Sequence, residues 1–181
     1  TFMRRKGRIK NKFKAAQCEI VILVGSETGS TMSFAGLFYN ELLNKGKKVF
    51  LTQMDKYQKF PKMEHLVIFT STYGDGEPPA NATKFMSQLQ KISQSQDFNY
   101  SVLGFGSLAY PSYCKFAFDV DDALKASSGA QELLGVYTIN NKSWEAFDQW
   151  VDQWGERLGL ALDVPRDNAV TKPRKKPKKF K

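Results

Sequence analysis

From residue 19 onward the chain alternates short runs rich in Val, Ile and Phe with longer stretches whose apolar residues recur every three or four positions. Short runs that are apolar throughout suit strands covered on both faces, and the longer stretches suit helices that bury one side. The alternation therefore restricts the chain to an α/β fold in which helices cross over a parallel sheet. The pattern predicts five strands, at 19–25, 48–53, 65–71, 100–105 and 132–137. Between them, Phe34, Leu37, Phe38 and Leu42 mark a helix over 32–43, and Phe85, Met86 and Leu89 one over 82–92. Phe116, Val120 and Leu124 mark a third over 113–126, and Trp144, Phe147, Val151, Trp154 and Leu158 a last one, whose stripe is ordinary core packing.

At 181 residues and 41% hydrophobic content, the chain is sized for a single domain with its own core. The net charge of +9 is concentrated at the ends. Seven Lys and Arg and no acid lie in the first 14 residues, and eight Lys and Arg with one Asp lie in 166–181. The segment between carries 12 basic and 17 acidic side chains, a net charge of −5. An acidic body with basic tails argues against a nucleic-acid-binding core. Cys18 and Cys114 fit no disulfide framework and no metal-ligand spacing, so both read as free thiols. His65 stands alone at the edge of an apolar run, and no metal site is expected.

In a doubly wound sheet, ligands sit beyond the carboxyl ends of the strands. The loop after the first strand reads Ser26, Glu27, Thr28, Gly29, Ser30, Thr31. Its hydroxyls and glycine stand where unpaired N–H groups and the positive end of a helix dipole converge, which suits a phosphate. It lacks the Lys of a nucleoside-triphosphate loop, which favours a terminal monophosphate; a plain helix cap is the competing reading. The loop after the third strand runs Ser71, Thr72, Tyr73, Gly74, Asp75, Gly76, Glu77, Pro78, Pro79. The loop after the fourth runs Gly104, Phe105, Gly106, Ser107, Leu108, Ala109, Tyr110, Pro111, Ser112, Tyr113. Glycines let the main chain approach a flat ligand, and Tyr73 and Tyr110 offer faces to stack on it.

The segments SETGST, STYGDGEPP and GFGSLAYPSY, in that order, resemble the three FMN-binding loops of the diflavin reductases. That group includes the sulfite reductase flavoprotein, the microsomal haemoprotein reductases and the reductase half of nitric oxide synthase. The resemblance covers about residues 18–160 and implies a flavodoxin-like three-layer sandwich, its five-stranded parallel sheet ordered 2-1-3-4-5 with helices on both faces. It implies that Ser26 to Thr31 hold the FMN phosphate and that Ser71, Thr72, Tyr73 and Gly74 form one edge of the isoalloxazine site. Phe105 to Cys114 would form the other edge. Tyr73 and Tyr110 would flank the ring, with the Gly74 carbonyl near the flavin N5–H of the reduced form. The chain departs from the group at Thr138-Ile139-Asn140-Asn141, where relatives often place an acid near the flavin.

Three segments are expected: a basic juxtamembrane or linker segment over 1–17, the FMN domain over 18–162, and a basic Pro/Lys linker over 163–181 leading to a domain that binds FAD and NADPH. The flavin would carry the chemistry, with no catalytic side chain. Electrons would pass from that FAD domain to a haem or other redox acceptor. Glu27, Asp75, Glu77, Asp119, Asp121 and Asp122 would form an acidic docking face. The basic start is consistent with a membrane anchor before Thr1 and a cytoplasmic location at its inner face; a calmodulin-binding type of linker is the other reading. A stand-alone flavodoxin, or a basic-tailed module for nucleic acid or anionic surfaces, are the competing functions, and no nucleic-acid partner is expected under the first reading.

Overall fold

A computed structural model describes residues 18–26, 29–56, 63–72, 76–93 and 96–165. The basic segments over 1–17 and 166–181 lie outside the described residues, as do Glu27, Thr28, Tyr73, Gly74 and Asp75.

Six strands form one parallel sheet: β1 (Ile20–Gly25), β2 (Val49–Gln53), β3 (His65–Ser71), β4 (Phe98–Gly106), β5 (Ala130–Glu132) and β6 (Tyr137–Asn140). The spatial order is β2-β1-β3-β4-β5, with β6 also paired to β4. Four helices complete the layers: α1 (Gly29–Asn44), α2 (Phe85–Ser93), α3 (Lys115–Lys125) and α4 (Trp144–Leu158).

Strand periodicity sorts the core into two halves. Val21, Leu23, Leu66 and Ile68 face one side, where Phe85 and Leu89 of α2 and Phe116, Val120 and Leu124 of α3 cover them. Their neighbours Ile22, Val24, Val67 and Phe69 face the other side, under Phe34 and Phe38 of α1 and Phe147, Trp150 and Trp154 of α4. Because successive strand side chains point to opposite faces and both faces are covered, the central strands are apolar at most positions. All six residues of β1 are buried.

The second half-core is an aromatic cluster. Phe38 meets Trp150 at 5.1 Å and Trp154 at 5.0 Å between ring centroids, both edge-on, and Phe69 meets Trp150 at 5.3 Å. Edge-to-face contacts of this kind suit the ring quadrupoles and add to the area buried. His65, half-buried at the start of β3, lies edge-on to Trp154 at 6.0 Å, and burial lowers its pKa. Cys18 and Cys114 are both free and buried.

The fifth strand position differs from the expectation of one strand over 132–137. β5 pairs the start of β4, with Tyr100 opposite Glu132, and β6 pairs its end, with Leu103 opposite Tyr137. Five steps along the outer chain thus span three along β4, so two extra residues bulge out around Leu133 to Val136. Leu133 and Leu134 turn inward onto the aromatic half-core, which holds the bulge in place. β4 itself extends beyond the expected 100–105 at both ends. No helix of the described residues is long and apolar enough to cross a membrane.

Trp150 is fully buried at the centre of the aromatic cluster. Trp150→Ala should lower the unfolding free energy by about 3–5 kcal/mol, as large cavities in cores do. Phe118→Ala, on the exposed side of α3 at 42% accessibility, should change it by less than about 1 kcal/mol. Urea unfolding followed by far-UV circular dichroism measures both.

Candidate functional site

The pairing of β1 with β3 places Gly25 opposite Thr70, and that of β3 with β4 places Ser71 opposite Phe105. Three strands therefore end at one edge of the sheet, and the loops that follow them share a cleft of about 520 Å³. Ser30 and Thr31 line it from the first turn of α1, Ser71 and Thr72 from the end of β3. Phe105, Gly106, Ser107, Tyr110, Ser112, Tyr113 and Cys114 line it from the segment between β4 and α3. Of the other residues singled out in the sequence, Ser26, Gly29, Leu108, Ala109 and Pro111 belong to the same loops without lining the cleft. Glu27, Thr28, Tyr73 and Gly74 are outside the described residues.

Hydrogen bonds lace the loops to one another. The hydroxyls of Thr31 and Ser71 are 2.8 Å apart, joining the first loop to the second. The Phe116 N–H donates to Thr72 Oγ1 at 3.0 Å, so the second loop caps the helix that follows the third. That cap comes from a distance because Cys114, the N-cap residue of α3, makes no side-chain cap of its own. The Ser26 N–H donates to Asn81 Oδ1 at 2.9 Å, which braces the exit from β1. Asn140 Oδ1 accepts from the Leu108 N–H at 2.9 Å, and the Asn141 N–H donates to the Gly106 carbonyl at 2.9 Å. These two bonds tie the end of β6 to the third loop.

The third loop lies tightly on α3. A Cβ added at Gly104 would stand 2.7 Å from the Cβ of Ala117, and one at Gly106 would stand 3.0 Å from Cys114 Sγ. Glycine is required there by close approach, because any side chain would push α3 off the sheet. Tyr110 is 68% exposed at the rim, with its ring free to meet a ligand. Tyr113 is half-buried, bonded to Thr138, and burial raises the pKa of its phenol.

Asn141 and Lys142, which also line the cleft, were not singled out as site residues in the sequence. With Cys114 they are the three non-glycine residues with positive φ among the described residues, at 51°, 56° and 52°. All three line the same cleft. Only the Asn-Asn pair before Lys142, a common left-handed signal, hints at this from sequence. Asn81 carried no sequence signal, because its role depends on the fold bringing it beside Ser26.

The expected acidic face needs correction at Asp121. The helical repeat puts Asp121 on the inner side of α3 with Ala117 and Leu124, where it is 2% exposed and paired with Lys125 at 3.0 Å. Burial of Tyr100, with Asp121 as the second cause, raises the Tyr100 pKa. Asp119 is paired with Lys115 at 2.8 Å. No carboxylate lines the cleft among the described residues.

Burial pushes the Cys114 thiol up from 9.0 to about 11, against a smaller opposing hydrogen bond from Tyr113. A thiol whose folded pKa is raised contributes stability that is complete below its unfolded pKa and is lost as pH climbs through the folded value. The urea midpoint should therefore fall between about pH 9 and 11, and Cys114→Ala should fall less steeply over that interval. Alkylation of Cys114 by iodoacetamide at pH 8 should be slow until the protein is unfolded.

The family profile described as Flavodoxin matches residues 22–154. The chain is 32% identical over 177 residues to the inducible nitric oxide synthase of Cavia porcellus, covering 92% of this chain and 15% of that protein. It is 30% identical over 119 residues to the sulfite reductase [NADPH] flavoprotein alpha-component of Bacillus subtilis, covering 64% of this chain and 20% of that one. Both proteins are of the diflavin reductase kind that the three loops resemble, and the chain spans a fifth or less of their length. Among solved structures, a flavodoxin of Streptococcus pneumonia superposes with a TM-score of 0.66 at 25% identity, over 77% of this chain and 97% of that one. Sheet order, loop placement and sequence agreement together make this chain a member of the flavodoxin family.

Proposed function

We propose that this domain holds one FMN in the cleft and serves as the electron-transfer module of a larger NADPH-dependent reductase. The convergence of three loops from β1, β3 and β4 on one cleft carries the reading. A volume of about 520 Å³ lies within the usual range for small-molecule sites. The residues suit a flavin nucleotide: hydroxyls at a helix start, glycines beside the main-chain edge, and aromatic side chains on the third loop.

In this reading, the segment from Ser26 to Thr31 binds the phosphate with its N–H groups and hydroxyls. Ser71 to Gly74 and Phe105 to Cys114 hold the two edges of the ring, with Tyr73 and Tyr110 over its faces. FMN supplies the redox chemistry itself, accepting and releasing electrons singly or in pairs. The residues bind, orient and shield it. Thr31 is almost fully buried and pinned to Ser71, so the first turn of α1 is positioned by the fold itself. Phe105 is 6% exposed and packs against Phe34 with ring centroids 5.2 Å apart and planes tilted by 34°, which gives the cleft an apolar floor. The neutral thiol of Cys114 and phenol of Tyr113 add contact without adding charge.

The relatives are several times longer than this chain, and one of them, the sulfite reductase flavoprotein alpha-component, carries NADPH in its name. That supports a partner domain binding FAD and NADPH in the same parent protein, with a haem or other redox centre as acceptor. The basic segments at 1–17 and 163–181 would be its joints, the first next to a membrane on the cytoplasmic side.

Purified chain mixed with FMN should turn yellow, quench flavin fluorescence and bind one FMN per chain. Protein that stays colourless, leaves FMN fluorescence unchanged, and binds DNA with a steep salt dependence would overturn the proposal in favour of a nucleic-acid module.

A further inference from the structure

Among the described residues that line the cleft, Lys142 is the one with a charged side chain. It is exposed and forms no ion pair with any described residue. It sits in the turn between β6 and α4, whose backbone is fixed from both sides. Asn141 donates its N–H to the Gly106 carbonyl at 2.9 Å, and Ser143 donates to the Asn140 carbonyl at 3.2 Å. Within that turn Lys142 has φ 56°, a conformation that residues other than Gly, Asn and Asp seldom adopt.

The turn is close to the first loop. α1 and α4 cover the same face of the sheet, and Phe34, near the start of α1, meets Trp144, the first residue of α4, at 4.8 Å between rings. The starts of the two helices therefore lie side by side, and Lys142 precedes one of them by two positions. Ser30 and Thr31, at the start of the other, line the same cleft as Lys142. The first turn of α1 has no acidic residue, so no side chain of that turn neutralises its positive end.

Resting on the reading of the cleft as an FMN site, we propose that Lys142 is a second contact for the FMN phosphate. Its ammonium sets the preference of this cleft for the phosphorylated flavin over riboflavin. Hydroxyls and N–H groups of the first loop solvate a phosphate but leave its charge uncompensated. An unpaired ammonium in the same cleft, with no described carboxylate competing for it, supplies the counter-charge. The third loop holds that ammonium's turn in place through the Asn141–Gly106 bond, so phosphate and ring recognition share one support.

Titrating the full chain with FMN and with riboflavin by fluorescence quenching tests this, using the unaltered protein, Lys142→Gln and Lys142→Arg. Lys142→Gln should weaken FMN binding by about fivefold to tenfold and leave riboflavin within about twofold, while Lys142→Arg restores most of the FMN affinity. Added salt should weaken FMN binding to the unaltered chain more than to Lys142→Gln. Unchanged FMN affinity, or equal losses for both flavins, would overturn the assignment, the second result marking a contact with the ring or a purely structural role. Failure of the unaltered chain to bind either flavin would overturn the proposed function and this assignment together, whereas flavin binding indifferent to position 142 overturns this assignment alone.

Discussion

The in-register parallel pairing of β1, β3 and β4 is the constraint on which the rest of the molecule depends. Parallel strands need crossover connections, so consecutive strands all enter the sheet at one end and leave at the other. Gly25, Ser71 and Phe105 consequently finish at one edge, and the segments after them have no choice but to meet. A slip of one residue in β3 would swap the two half-cores, exchanging Val67 and Phe69 with Leu66 and Ile68. The cleft would be lost with the core, because the same register sets both.

The loops at that edge are linked by few bonds, each between groups far apart in sequence. Thr31 to Ser71, Thr72 to Phe116, Ser26 to Asn81 and Asn140 to Leu108 are all such links. Their effect is to hold the described parts of these loops around one recess. Local strain gathers in the same place. Among the described residues, three other than glycine take left-handed conformations, each unfavourable by about 1–2 kcal/mol for an ordinary L-residue, and all three line the cleft. Strain of this kind persists where surrounding structure over-determines the backbone, and it concentrates at sites that bind.

Charge is distributed with the same economy. Asp121 and Lys125 form a pair inside and at the edge of α3, and Asp119 and Lys115 form another on its surface. These pairings remove two of the carboxylates that composition alone would assign to an acidic docking face. Among the described residues that line the cleft, Lys142 is left as the unpaired charge.

Sequence alone determined the architecture. Short runs apolar throughout and the three-to-four-residue apolar rhythm select strands and helices by local geometry, and the loops with glycine and hydroxyl clusters stand between them regardless of packing. Four helices and four of the strands lie where those rhythms place them, within a few residues. The bulge between β5 and β6 was not legible, since it arises from a register mismatch with β4 that appears only once the two chains pair. Asn81 and Lys142 were likewise silent, because only folding brings Asn81 beside Ser26 and Lys142 to the cleft. Asp121 read as a surface acid because its burial depends on which side of α3 meets the sheet. Periodicity is a local property of the chain, whereas proximity across the sheet is created only by folding, and it is proximity that made the cleft and left Lys142 beside it.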